Sequence, residues 1–167
     1  MKIAVISDIH DNLANLQKAL KVISQNQTDH LICLGDVQEL ATWKILDNLS
    51  MPVSAVMGNG DKDMISWKKL KANLNHLQLF NSVGEIEFNN KKIIFSHYQG
   101  IIKNIITKYP NKYTLGLYGN SHQPWEEMMG KTKLLNPGNV ANVFYSPTFA
   151  IVDLKNLQAQ LILLNES

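Results

Sequence analysis

The chain has 167 residues, of which 45% are hydrophobic and 18% are charged, and its formal net charge is +2 at pH 7. This length supports one domain with a substantial core, and the composition excludes a disordered or fibrous protein. The small net charge, with lysines spread along the chain, does not indicate a nucleic-acid partner.

The first part of the chain alternates short apolar runs with amphipathic segments, which predicts a parallel sheet with right-handed crossovers. The predicted elements are a strand at 2–7, a helix from Leu13 to Ile23 with Asn12 as its N-cap, a strand at Leu31–Leu34, a helix at 39–49 and a strand at Val53–Met57. A further helix is predicted over 64–77.

The second part of the chain is richer in strands. The predicted elements are a hairpin of Glu85–Phe88 and Lys91–Phe95 around Asn89-Asn90, a short helix at 101–108, and strands at Leu115–Tyr118, Thr132–Leu135, Phe149–Leu154 and Ala159–Leu164. Because strands alone follow one another at the end, we expect a second, mixed or antiparallel sheet. The whole chain, 1–167, is expected to form a single α/β domain of two sheets flanked by helices.

The ends and the lone cysteine carry little chemistry. The apolar run at the N-terminus is too short for a secretory signal peptide, and no stretch approaches 18 apolar residues, so we expect a cytoplasmic location. Cys33 lies in an apolar run and is expected to be a small core residue.

Polar clusters follow five of the predicted strands. They are Asp8-x-His10, Gly35-Asp36, Gly58-Asn59-Gly60-Asp61, Ser96-His97 and Gly119-Asn120-Ser121-His122. Ligands of α/β proteins collect at the carboxyl ends of strands, so these clusters are expected to converge. Taken alone, Asp-x-His is common by chance, Gly-Asp and Gly-Asn-Gly-Asp are typical of turns, and a lone His97 is more often a structural histidine. Their occurrence in order, each after a strand, is what indicates a site.

Carboxylate, imidazole and amide oxygen together suit a divalent metal ion of borderline hardness, such as Mn²⁺, Fe²⁺ or Zn²⁺. Six or seven candidate ligands exceed what one ion needs, which favours two ions sharing a carboxylate. All 16 basic residues are lysine. Because arginine is the usual bidentate partner of phosphate, any phosphate bound here must be held by metal, lysine or backbone N–H groups.

This series of motifs resembles the calcineurin-like metallophosphoesterases, whose pattern is Asp-x-His, Gly-Asp, Gly-Asn-His-Asp, Gly-His or Ser-His, and Gly-His-x-His. The Ser7-Asp8-Ile9-His10 opening, the Leu135-Asn136-Pro137-Gly138 segment and the short length are similar to the small single-domain phosphodiesterase (YfcE-like) branch. The resemblance spans essentially the whole chain. It implies a four-layer αββα sandwich of two mixed β-sheets flanked by helices.

The resemblance also implies a ligand set. Asp8, His10 and His122 would hold one metal ion, Asn59 and His97 the second, and Asp36 would bridge them. Asn120 stands at a further ligand position of the second ion. The catalytic residues assigned in this way are Asp36, Asn59 and His97. The expected cofactors are two divalent metal ions, Mn²⁺ foremost, with Fe²⁺, Zn²⁺ and Ni²⁺ as alternatives.

Two positions depart from the family pattern. Asn120 replaces a histidine, and because an amide oxygen is a weaker donor than imidazole, the second metal site is expected to be weak. Gly60 replaces a histidine, or a cysteine in some small members, that is thought to assist the leaving group or bind phosphate. We therefore expect activated leaving groups or anhydrides to be preferred over alkyl esters.

The expected activity is hydrolysis of a small phosphate ester by a metal-bound hydroxide that attacks phosphorus in line. The main alternative is a catalytically weakened or one-metal family member that acts as a binding scaffold, as in the small retromer subunit. No nucleic-acid or membrane partner is expected, and both a monomer and a homo-oligomer remain open. The sequence does not name the substrate.

Overall fold

The computed structural model describes residues 1–164, so the end of the predicted domain, residues 165–167, lies outside the described residues. The first part contains β1 (Lys2–Ile6), α1 (Leu13–Gln25), β2 (His30–Cys33), α2 (Leu40–Asp47), β3 (Val53–Val56), α3 (Asn59–Met64), α4 (Trp67–Asn73) and β4 (Gln78–Phe80). The second part contains β5 (Val83–Phe88), β6 (Lys91–Ser96), α5 (Gln99–Lys108), β7 (Leu115–Leu117), β8 (Trp125–Met129), β9 (Thr132–Asn136), β10 (Thr148–Asp153) and β11 (Gln158–Leu163).

These strands form two mixed sheets. The first has the order β11-β10-β1-β2-β3-β4, and the second has the order β5-β6-β7-β9-β8. In the first sheet β2 pairs in parallel with β1 and β3, and in the second sheet β7 pairs in parallel with β6 and β9. Helix crossovers connect β1 to β2 and β2 to β3, as the alternating pattern of the sequence predicts.

Alternation along the strands divides the apolar residues into three layers of core. Along β1, Ala4 and Ile6 belong to a cluster with α1 and α2, whereas Ile3 and Val5 pack with residues of the second sheet. On the outer face of that sheet, Ile94 packs with residues of α5. Period-two alternation thus places helices outside and the two sheets face to face, which confirms the four-layer αββα sandwich.

The predicted helix at 64–77 is wrong in its bounds. The chain forms α3 and α4 instead, separated by Ile65 in an extended conformation, with the Ser66 side chain capping α4. The helix does not continue to residue 77 because the Asp47 carboxylate accepts the backbone N–H groups of residues 75–77. A side chain 28 to 30 residues away in sequence therefore ends the helix.

Two strands have no counterpart in the sequence prediction. β8 reads Trp-Glu-Glu-Met-Met and lies at an edge of the second sheet, so most of its residues stay exposed and show no apolar alternation. β4 has only three residues, too few to show an alternating apolar pattern in the sequence.

The strands at the end of the chain do not form a sheet of their own. β9 joins the second sheet, whereas β10 inserts beside β1 in the first sheet, with Val152 opposite Ile3. The hairpin turn at Asn89-Asn90 has φ of 49° and 63°, the left-handed pair that a two-residue type I′ turn requires. Among residues 1–164, no helix has both the length and the apolarity needed to cross a bilayer.

Candidate metal centre

Polar residues that follow strands of both sheets meet at one edge of the sandwich. The potential ligand atoms form two groups, and the atoms inside each group all lie within 4.8 Å of one another. One group comes from Asp8, His10 and His122, and the other from Asp8, Asp36 and His97. Asp8 belongs to both groups. Asp36 also lies between two imidazoles, because its Oδ2 is 3.8 Å from His10 Nε2 and 3.5 Å from His97 Nε2.

The backbone at these positions is held in an unusual conformation. Positive φ angles between 44° and 67° occur at Asp8, His10, Asp36, Asn120 and His122. Left-handed backbone costs a residue with a side chain roughly 1–2 kcal/mol. Hydrogen bonds between the loops hold it in place, among them those from the N–H groups of residues 8 and 10 to the carbonyls of residues 35 and 36. Strain of this kind persists only where the surroundings enforce it, and it concentrates at functional sites.

His97 presents one free ring nitrogen to the cluster. The side chain is fully buried, and Nδ1 donates to the carbonyl oxygen of Leu34 at 2.8 Å. Nε2 then carries a lone pair, and it has no hydrogen-bond partner among the described residues. A buried acceptor without a partner costs roughly 1–3 kcal/mol, and a metal ion would satisfy it.

His122 faces Asp8 directly. Its Nδ1 donates to the Val143 carbonyl at 3.1 Å, and its Nε2 lies 3.2 Å from Asp8 Oδ1. Two acceptors this close repel each other unless a proton or a cation lies between them. With a proton there, the hydrogen bond to Asp8 raises the pKa of His122 above its ordinary value. The same position suits a metal ion that both atoms would bind.

The environment of Asp8 favours the ionised carboxylate. Its Oδ2 accepts from the Ser7 hydroxyl and from the backbone N–H of Asn120 at 3.1 Å, whereas its Oδ1 is buried without a hydrogen-bond partner. Burial raises the pKa of this carboxyl, but the contacts with His122, His97 and Ser7 outweigh it and bring the pKa below its ordinary value. The carboxylate is therefore ionised, with one oxygen turned to the cluster.

His10 is half-buried, and its Nδ1 lies 3.1 Å from the side-chain amide of Gln38. In the orientation that the structure gives, the amide nitrogen of Gln38 faces Nδ1 and donates to it. The same amide turned by 180° would accept from Nδ1 and leave Nε2 as an acceptor for a metal ion. Nε2 has no hydrogen-bond partner among residues 1–164. The unpaired atoms of Asp8, His10 and His97 thus face one another, and this donor set fits a divalent cation.

Asn59 and Asn120 are placed differently from the other predicted ligands. Asn59 is the first residue of α3, directly after β3, and Asn120 follows β7 in the loop that carries His122. Both side chains are exposed. The structure therefore gathers Asp8, His10, Asp36, His97 and His122 closely and leaves the two asparagines at the solvent side.

Asp61 organises the loop that carries Asp36. Its fully buried carboxylate accepts the backbone N–H groups of Asp36, Val37, Gln38 and Gly58 at 2.7–2.9 Å and the indole N–H of Trp43 at 3.2 Å. Burial raises the pKa of this group above its ordinary value, although the backbone N–H groups oppose that shift. This role depends on contacts between distant parts of the chain, so it is visible only in the structure.

Two further residues of the site gave no usable signal in the sequence. Gln38 supports His10, as described above, but a glutamine after Gly-Asp is not a recognisable motif. Asn139 follows the Asn136-Pro137-Gly138 segment, and its side-chain amide donates to the carbonyl oxygens of His122 and Tyr145, both at 3.2 Å. Both residues hold a candidate ligand from the side away from the cluster.

Comparison with known proteins agrees with this geometry. The family model of the calcineurin-like phosphoesterase superfamily domain matches residues 1–157. A phosphodiesterase of Methanocaldococcus jannaschii is 26% identical over 167 residues, covering 98% of this chain and 99% of that protein. The structure of a novel archaeal phosphodiesterase superposes with a TM-score of 0.84 at 25% identity, over 98% of this chain and 99% of the other. Yfce, a phosphoesterase from E. coli, shares the fold with a TM-score of 0.70 at 18% identity, over 99% and 100% of the two chains.

Proposed function

Because the chain belongs to the calcineurin-like phosphoesterase superfamily, we propose that it is a metal-dependent phosphodiesterase that hydrolyses small phosphate esters at the cluster around Asp8 and Asp36. The similarity to phosphodiesterases over nearly the full length of both chains supports this activity. We further propose two divalent metal ions, Mn²⁺ foremost, because the ligand atoms form two groups that share Asp8.

One observation carries the proposal. Asp8 Oδ1, His10 Nε2 and His97 Nε2 are buried without hydrogen-bond partners among the described residues, and they face the same small space. Each unpaired atom costs folding free energy that a bound cation would recover. A scaffold that binds no metal gains nothing from this arrangement, whereas a metal-dependent hydrolase requires it. We therefore place catalysis ahead of the scaffold alternative.

The candidate ligands would be distributed between the two metal ions. Asp8, His10 and His122 would hold one ion, and Asp8, Asp36 and His97 the second. The amide oxygens of Asn59 and Asn120 would be available from the solvent side. Bound ions would supply Lewis-acid stabilisation of the phosphate oxygens and a water of lowered pKa as nucleophile.

The loops around Asp36 keep these ligands in place before substrate arrives. The backbone N–H of Gly60 donates to Asp36 Oδ1 at 2.8 Å, which leaves Oδ2 turned to the histidines. Such preorganisation spares the enzyme the cost of rearranging polar groups during the reaction.

The leaving group would depart without help from the side chain at position 60, since glycine has none. Lys62, two residues further on, is directed elsewhere: its Nζ donates to the Ser82 hydroxyl at 3.3 Å and lies 5.5 Å from the centre of the Tyr98 ring. General-acid assistance is worth roughly 10²–10⁴ in rate. Esters whose leaving groups are stable as anions are therefore the expected substrates, and alkyl esters should be cleaved much more slowly.

The decisive experiment is hydrolysis of bis(p-nitrophenyl) phosphate by metal-stripped protein, with and without added Mn²⁺. Asp36→Asn tests the cluster, and Asp63→Asn is the matched control because Asp63 is an exposed carboxylate of the neighbouring helix α3. We expect Mn²⁺-dependent turnover in the native chain and in Asp63→Asn, and none in Asp36→Asn.

Metal binding, followed by calorimetry, separates the two functional hypotheses. Absence of turnover with Mn²⁺, Fe²⁺, Zn²⁺ and Ni²⁺, together with tight metal binding that Asp36→Asn weakens, would favour a metal-binding scaffold. Turnover that persists unchanged in Asp36→Asn would contradict the assignment of the site itself.

A further inference from the structure

The loop between β9 and β10 places a large aromatic side chain in solvent beside the metal centre. Phe144 is 90% exposed, the most exposed of the large hydrophobic residues among residues 1–164. Its ring centre lies 5.6 Å from that of His122, with 54° between the ring planes. An isolated exposed aromatic residue needs no explanation, but one beside a candidate ligand has a possible partner in the substrate.

The backbone of Phe144 is held rigidly rather than left free. The Asn139 side chain accepts the N–H of Val143 at 3.0 Å and donates to the carbonyl oxygen of Tyr145 at 3.2 Å, so the residues on both sides of Phe144 are fixed. Phe144 itself has a φ of 64°. A bulky residue rarely adopts this left-handed conformation, and it does so only where the surroundings enforce it.

The same contacts tie the loop to the metal centre. Asn139 also donates to the carbonyl oxygen of His122, and the Val143 carbonyl accepts from His122 Nδ1. The position of the Phe144 ring is therefore coupled to the position of a candidate ligand. The exposed ring adds little to the core, so its placement is better explained by something that binds to it.

We propose that Phe144 is a stacking platform for a planar aromatic group of the substrate, and that the preferred substrates are phosphate esters carrying such a group. This proposal rests on the proposed function, since it places the phosphate at the metal centre and the aromatic group on the adjacent ring. Stacking on an aromatic side chain accepts any flat ring, because every such ring has a π-face. Two sources share this chemistry: an aryl ester and the base of a nucleotide.

Direct binding of phosphonates, which have no ester bond to hydrolyse, and of alkyl monoesters, which we expect to be cleaved only slowly, tests the platform without relying on turnover. Two matched pairs are measured on the Mn²⁺-loaded full chain by calorimetry: phenylphosphonate against methylphosphonate, and adenosine 5′-monophosphate against ribose 5-phosphate. The first pair isolates an aryl group, and the second isolates a base. The variants are Phe144→Ala, Phe144→Leu, which keeps an apolar side chain, and Phe144→Trp, which keeps a stacking ring. Tyr109→Ala removes an exposed aromatic ring at the end of α5 and is the matched control.

We expect the native chain to bind the aromatic member of at least one pair more tightly, by roughly 5- to 150-fold. Phe144→Ala and Phe144→Leu should bring that ratio close to one, while Phe144→Trp and Tyr109→Ala should retain it. A ratio that survives in Phe144→Ala, or a ratio of one in both pairs for the native chain, would overturn the platform alone. Failure of all four ligands to bind the Mn²⁺-loaded native chain would overturn the proposed function as well.

Discussion

Replacement of Asp61 by asparagine should destabilise the protein strongly, although the two side chains have nearly the same shape. In the native chain Oδ1 of Asp61 accepts from Val37 N, Gln38 N and Trp43 Nε1, and Oδ2 accepts from Asp36 N and Gly58 N. Asparagine offers one oxygen and one NH₂ group. Whichever way the amide turns, at least two of these five donors then face another donor.

The magnitude follows from the number of donors left without an acceptor. Each buried N–H that loses its partner costs roughly 1–3 kcal/mol, and bonds to a carboxylate are the stronger kind. We therefore expect Asp61→Asn to lower the free energy of unfolding by about 2–6 kcal/mol. Domains of this size are stable by only about 5–15 kcal/mol, so the loss should be a large share of the total stability.

Urea denaturation of metal-free protein measures this loss directly. Asp63→Asn is the control, because Asp63 lies on the same short helix with its side chain exposed, and its replacement should stay within about 0.5 kcal/mol of the native value. A midpoint for Asp61→Asn as close to the native one as that of Asp63→Asn would refute the role of Asp61 as the organiser of the Asp36 loop.

Three further predictions test other parts of the molecule. Asn120→His adds an imidazole at the solvent side of the centre, and calorimetry should show the weaker of two Mn²⁺ ions binding more tightly, on the order of tenfold. Asp47→Ala removes the acceptor of three backbone N–H groups that end α4, and it should cost about 2–3 kcal/mol in urea denaturation; an unchanged midpoint would contradict the assigned cause of the helix end. Burial lowers the pKa of His30, so at mildly acidic pH the unfolded chain binds a proton more readily than the folded chain. The free energy of unfolding should therefore hold its value above about pH 6.5 and decrease as pH falls toward the folded-state pKa. His30→Gln should flatten that decline in thermal unfolding between pH 7 and pH 5, and parallel curves for the two proteins would count against it.

Features that depend on local sequence could be predicted well. The strand over 2–7, the helix that begins after Asn12 and the turn at Asn89-Asn90 each follow from periodicity, a cap or a pair of turn residues within a few positions. The gathering of Asp8 and Asp36 could also be predicted, because parallel strands bring their carboxyl ends to one edge. The polar motifs and the geometry of a parallel sheet together are sufficient to predict that these two carboxylates lie close to each other.

Features that depend on distant contacts could not be predicted. The end of α4 is decided by Asp47, which belongs to another helix, and β8 is an exposed edge strand whose pairing with β9 leaves no apolar signature. The insertion of β10 beside β1 is likewise a matter of tertiary pairing. For the same reason the sequence does not reveal Gln38 as the partner of His10, because the two residues meet only in the folded chain.

Position 60 and position 144 lead to the same class of substrate. A Cβ at Gly60 would lie 2.9 Å from Gln38 Nε2 and 3.4 Å from Asp36 Oδ1, so in this chain the space beside residue 60 is taken by the glutamine that supports His10. With that space filled, no side chain at position 60 is there to protonate a leaving group, and the substrate itself must supply a leaving group that is stable as an anion. An aryl oxide meets this requirement, because its charge is delocalised into the ring, and that ring is also the group that Phe144 is placed to receive. We therefore propose aryl phosphodiesters as the substrates, since they would both supply the missing acid's function through their leaving group and place a ring against Phe144.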